Sequence, residues 1–163
     1  MKNGAKILGH HVHPMLIVFP LGLLSTAFIF DIAFLLTDRP VFHLLAYWLI
    51  PAGLIAGVAA ALFGWIDWFA IPSRTRAKRV GLTHGLVNAA VLILFFGSWW
   101  LRPSSQTEPG AIALVLSVSA ALLALVGGWL GGELVERLGI GVHSGAHPDA
   151  PNSLTSDTRI DAK

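Results

Sequence analysis

The chain has 163 residues, 55% hydrophobic and 12% charged, with a formal net charge of +2 and no cysteine. Soluble domains carry roughly 25% charged residues, so a chain at half that value cannot cover a globular surface and takes lipid as its solvent. The lack of thiols excludes disulfides, Cys-ligated iron–sulfur centres and thiol catalysis, and the few clustered bases speak for membrane topology rather than for a nucleic-acid surface.

A helix of about 20 apolar residues, rising 1.5 Å per residue, crosses a bilayer, and four segments qualify. Lys2 and Lys6 precede the first, over residues 14–36. That run is too long for a signal peptide and no small-x-small site closes it, so it reads as a permanent span. Thr37-Asp38-Arg39-Pro40 is a tight turn that makes the first two helices antiparallel neighbours. The second span covers 42–70, with a kink expected at Pro51 because proline lacks the backbone donor. Its small-residue stripe is Gly53, Gly57, Ala60 and Gly64. The third span, 84–101, opens on Thr83-His84-Gly85, with Thr83 a candidate N-cap. The fourth, 111–136, carries Ala120, Ala124, Gly127, Gly128, Gly131 and Gly132. Small residues let backbones approach closely where lipid removes the hydrophobic drive between helices. Residues 1–142 therefore read as an all-α integral membrane four-helix bundle, and residues 143–163, rich in Ser, Asp, Pro and Ala, as a polar disordered tail.

Orientation follows from the bases. Arg74, Arg76, Lys78 and Arg79 lie between the second and third spans, and Lys2, Lys6, Arg137, Arg159 and Lys163 share their side; Arg39 and Arg102 are left opposite. The positive-inside rule makes the base-rich side cytoplasmic, with both termini inside. Ionisable groups within spans are the default functional candidates. Most lie at the base-rich end: His10, His11 and His13 before the first helix, Asp67 closing the second, His84 opening the third, and Glu133 and Glu136 near the end of the fourth. Asn88 is one turn deeper than His84 on the same face. Asp67 shares the face of Ala60 and Gly64 and should point at a helix rather than at lipid. At the other end, Asp31 and His43 are close enough to the tight turn to pair across it.

A weak internal echo aligns Gly64-Trp65-Ile66-Asp67 with Gly128-Trp129-Leu130-Gly131, in keeping with two related helical hairpins about an axis along the membrane normal. In that alignment Gly131 stands opposite Asp67, and Ile17 opposite Asn88. His13-Pro14-Met15-Leu16-Ile17-Val18-Phe19-Pro20-Leu21-Gly22 resembles the opening motif of a bacterial four-helix membrane family, domain of unknown function 2231. Gly64-Trp65-Ile66-Asp67-Trp68, Thr83-His84-Gly85-Leu86-Val87-Asn88 and the glycine-rich run from Gly127 to Val135 are similar to its later motifs. The likeness covers about residues 10–142 and implies a bacterial inner membrane as the location. Members of this kind occur fused to c-type cytochrome or Rieske domains, which implies a membrane redox setting. This sequence has no Cys-x-x-Cys-His, so a redox role here would use a cofactor held by His or a partner protein.

Three function readings follow. In the first, the chain is a membrane subunit associated with electron transfer. It holds haem b between His13 and His84 with Asn88 alongside, or a nonhaem metal on His13, His84, Asp67 and Glu133. In the second it is a cofactor-free structural or assembly subunit, and in the third a small transporter or proton path. An independent catalytic activity is not indicated, because Ser25, Ser98, Ser117 and Ser119 have no obvious neighbouring base. The expected partners are the lipid bilayer and, in the redox reading, a redox protein or larger membrane complex. The orientation has a direct check in the cysteine-free background: a Cys placed at Arg76 should resist an impermeant thiol reagent in intact cells and react once the membrane is opened. Labelling of intact cells reverses the topology.

Overall fold

The computed structural model describes residues 4–102 and 108–154. Lys2, Arg159 and Lys163 of the base count, residues 103–107 and the end of the tail lie outside the described residues. The chain starts with a small hairpin, β1 (Lys6–Ile7) pairing antiparallel with β2 (His10–His11). Leu8 and Gly9 turn it with φ of 50° and 83°, the positive-φ pair that a type I′ turn requires. Ser153, from the tail, lies against Gly9. Helix α1 (Val12–Leu16) follows and continues, after a one-residue break at Ile17, as α2 (Val18–Thr37); the two act as one 26-residue candidate span. Asp38, at φ 56°, caps α2 by donating its N–H to the Phe34 carbonyl. Aspartate is one of the few residues that tolerate this left-handed region. Pro40 then opens α3 (Pro40–Phe69), which continues past Pro51 as a single helix.

Helix α4 (Arg76–Trp100) begins two turns earlier than the apolar run suggests. Hydrophobicity marks where lipid starts, whereas the helix starts at its cap. Thr75, not Thr83, is that cap: its hydroxyl accepts from Lys78 N–H at 3.1 Å and donates to the Pro72 carbonyl at 2.8 Å. The Thr83 hydroxyl instead bonds back to Arg79 O. A reciprocal clasp fixes the α3–α4 connection. Trp68 Nε1 donates to Lys78 O, Lys78 Nζ donates to Trp68 O, and the ammonium stands 3.8 Å above the Trp68 ring. Helix α5 (Ala111–Gly132) ends in one π-turn, Glu133–Arg137. All four spans meet the length and hydropathy of a membrane crossing, and large side chains such as Ile55, Ile93 and Leu125 are exposed on the outside of the bundle. That is a surface made for hydrocarbon.

Helix α2 packs chiefly on α3 and α4 on α5, while α3 against α4 and α2 against α5 close the ring. The centre holds Leu24, Ala27, Ala46, Ile50, Val91, Phe95 and Ala120. Within the small-residue stripes the individual positions differ. A Cβ on Gly53 would come within 2.7 Å of both Leu24 Cγ and Cδ2, and one on Gly57 within 2.6 Å of Leu92 Cδ2. Gly128 and Gly132 face open space, because one step along α5 turns residue 128 about 100° away from the buried residue 127. Gly53→Leu should therefore cost about 1–3 kcal/mol through overpacking and lower the melting temperature in detergent. Gly128→Leu should melt with the parent; equal loss in both variants would remove the packing argument.

Candidate functional site

The base-rich end of the bundle brings two imidazoles together. His13, in α1, donates Nδ1–H to the Ala60 carbonyl of α3 at 2.8 Å, and His84, in α4, donates Nδ1–H to the Gly127 carbonyl of α5 at 3.0 Å. A carbonyl only accepts, so Nδ1 carries a proton in each ring, and in the neutral form this fixes the tautomer with the lone pair on Nε2. The ring centres are 6.4 Å apart and the planes nearly perpendicular. Glycines make the room. A Cβ on Gly64 would stand 3.0 Å from His13 Cε1, and one on Gly131 would stand 3.2 Å from His84 Cε1. Both rings are half-buried.

Asn88 is held in the notch of Gly127, where a Cβ would come within 2.9 Å of its Oδ1. Its Nδ2 donates to the His84 carbonyl at 2.8 Å and lies 3.3 and 3.4 Å from the two ring nitrogens. Nearly equal distances place the amide beside the ring, out of line with either nitrogen's lone pair. The Nε2 acceptor is thus left to some other group.

The acids expected beside these histidines are engaged elsewhere. Asp67 Oδ1 accepts from Ala5 N–H and pairs with His11 Nδ1, both at 3.2 Å, which fastens the N-terminal hairpin to the end of α3. Glu133 pairs with Arg76, tying the start of α4 to the end of α5. The four-ligand set of His13, His84, Asp67 and Glu133 is therefore not drawn together, and among the described residues no group of three or more His, Cys, Asp or Glu is placed to hold a metal. Asp67 takes Ala5 N–H and His11, and Glu133 takes Arg76, as partners. The surviving pair is His13 with His84.

The far end of the bundle carries a second polar cluster. Arg102, just past α4, grips Asp31 of α2 with both guanidinium arms at 2.6 and 2.7 Å. Ser117 donates to Asp31 Oδ2 at 2.6 Å. Ser98 accepts from Arg102 and donates to the Ala113 carbonyl at 2.7 Å. All four residues are buried. Asp31 thus takes Arg102 and Ser117, and the buried His43 stands with its ring against Phe34. Arg102 reads in sequence as one of two outer bases, and Ser98 and Ser117 as ordinary helix serines. The available signal was Asp31 itself: an acid inside an apolar helix requires a cation, and Arg102 is the one base beyond the end of the third span. Between the two polar ends the centre is filled by Leu24, Ala27, Ile50, Val91 and Phe95.

A family model described as "Predicted membrane protein (DUF2231)" matches residues 9–144. No curated protein and no solved structure matches the chain. The far-end cluster yields a stability test. Removing one partner of a buried ion pair strands the other, at a cost of about 3–5 kcal/mol. Arg102→Met should therefore collapse the thermal transition in detergent, and Asp31→Leu/Arg102→Met should recover part of it. A single variant as stable as the parent would show that the pair does not hold the bundle.

Proposed function

We propose that this chain, which belongs to the DUF2231 family of predicted membrane proteins, is a multi-pass membrane subunit in which His13 and His84 hold one metal centre, haem iron or a nonhaem ion, for electron transfer. The observation that carries the proposal is the matched pair of imidazoles, each with Nδ1 bonded to a helix carbonyl, which makes Nε2 of each neutral ring the atom that would hold a metal. An Nδ1–H held by a carbonyl is the usual outer support of a metal-bound histidine. With their ring centres 6.4 Å apart, His13 and His84 are the two residues that would hold such a metal centre. A centre bound there would supply reversible one-electron transfer.

The chain's own groups do the rest. The Ala60 and Gly127 carbonyls set ring orientation and tautomer, Gly64 and Gly131 admit the rings, and Asn88 limits rotation of the His84 segment. The half-buried position at the base-rich end suits exchange with a redox partner on that side, the side that the positive-inside rule would make cytoplasmic. A cofactor-free reading is favoured by one feature: the same two bonds tie α1 to α3 and α4 to α5, so the histidines also serve as hydrogen-bonded pins.

The two readings separate on one experiment. Protein purified in mild detergent, as isolated and after incubation with haemin or with copper, zinc or iron salts, is examined by absorption spectroscopy and metal analysis. One haem or one ion per chain is expected, lost in both His13→Ala and His84→Ala while the helical content persists. Parent protein that takes up neither haem nor metal sinks the electron-transfer reading and leaves the pins.

A further inference from the structure

The two hydrogen-bonded histidines and the buried ion pair obey one numerical rule. His13 to His84 and Asp31 to Arg102 are both steps of 71 residues. The carbonyls that receive the histidines, Ala60 and Gly127, and the glycines that admit them, Gly64 and Gly131, are steps of 67. The same two steps relate the buried faces. Leu24 and Ala27 of α2 map onto Phe95 and Ser98 of α4, and Ala46, Ile50 and Gly53 of α3 map onto Ala113, Ser117 and Ala120 of α5, every one of them buried. The register differs by one helical turn from the Gly-Trp echo, which set Gly64 against Gly128; contacts, not the tryptophans, fix it.

Equivalent residues of two copies can touch only where a twofold axis passes between them. Two such pairs touch here, His13 with His84 at one end and Asp31 with Arg102 at the other. They are separated by 18 residues, which is five turns and about 27 Å of helix, so both lie on one face and the line between them runs the depth of the bundle. We infer that the bundle is two copies of one helical hairpin, α1–α3 and α4–α5, facing each other across a twofold axis, and that Asp31 with Arg102 is the key that fits one hairpin's surface to the other and not to itself. Matching positions in two identical hairpins would set like charge against like. The unlike pair, with Ser98 and Ser117 both on the second hairpin, makes the interface complementary only between the first hairpin and the second. The inference stands whether or not the histidines bind a metal.

If the halves are equivalent, the key can be turned round. In the full chain the six changes Asp31→Arg, Arg102→Asp, Ala27→Ser, Ser98→Ala, Ile50→Ser and Ser117→Ile rebuild the same four-residue cluster on the opposite hairpin. This variant should melt within a few degrees of the parent and well above Asp31→Arg or Arg102→Asp alone. A six-fold variant no more stable than the single reversals overturns the exchange. A second measurement leaves the key untouched. The cysteine-free chain accepts spin labels at the lipid-facing positions Gly22 and Leu122, and separately at their mates Ile93 and Ile55. The two pairs should give superimposable distance distributions; distributions that do not overlap overturn the twofold relation.

Discussion

A bilayer offers no water to a buried polar group, so each such group must be satisfied by protein or held at the rim. The Asp31–Arg102 pair shows how this chain meets that constraint. Its charges sit at the far end of the bundle with the carboxylate accepting from both guanidinium arms and from Ser117, and the guanidinium donating also to Ser98. These bonds run between α2, the end of α4 and α5, elements from both hairpins. No apolar contact among near-identical aliphatic faces specifies a register so sharply, because sliding one helix by a turn would strand two charges in hydrocarbon.

The remaining architecture follows from where the helices are pinned. At the base-rich end each hairpin has its own bond from an imidazole to a carbonyl one helix away. Between the ends small residues bring the backbones together, and the centre is closed by Leu24, Ile50, Val91 and Phe95. The hydrogen-bonded imidazoles and the buried ion pair thus lie at two depths. The end with charges is sealed, while the end with imidazoles is half-exposed.

Much of this was legible in the sequence. The four spans, the tight first turn and the all-α bundle follow from hydropathy and turn chemistry, and the meeting of His13 with His84 follows from their matched depth. The starts of helices were less legible, because Thr75 caps α4 outside the apolar run that reports only lipid. The acids misled for a related reason. Asp67 and Glu133 share a depth with the histidines, but depth does not fix the nearest partner. His11, brought round by a two-residue hairpin, and Arg76, extending α4 outward, reach the carboxylates first. The Asp31–Arg102 pair was hidden because the two residues are 71 apart and belong to different hairpins; only the closed ring of helices joins them.

The contrast between the two ends is itself informative. An acid and a base at matching positions satisfy each other together with Ser98 and Ser117. Two neutral imidazoles of the same tautomer present acceptors to their surroundings once their N–H groups are spent on carbonyls, and two acceptors cannot satisfy each other. The Asn88 amide, beside the His84 ring rather than in line with its Nε2, does not resolve this for His84. An electron-pair acceptor does, whether a metal ion or the donor of a bound molecule. Two imidazoles held in place by backbone carbonyls, in an otherwise tightly matched bundle, are among the described residues a polar feature with chemistry left to do, and the proposed function rests on them while the charged end accounts for architecture.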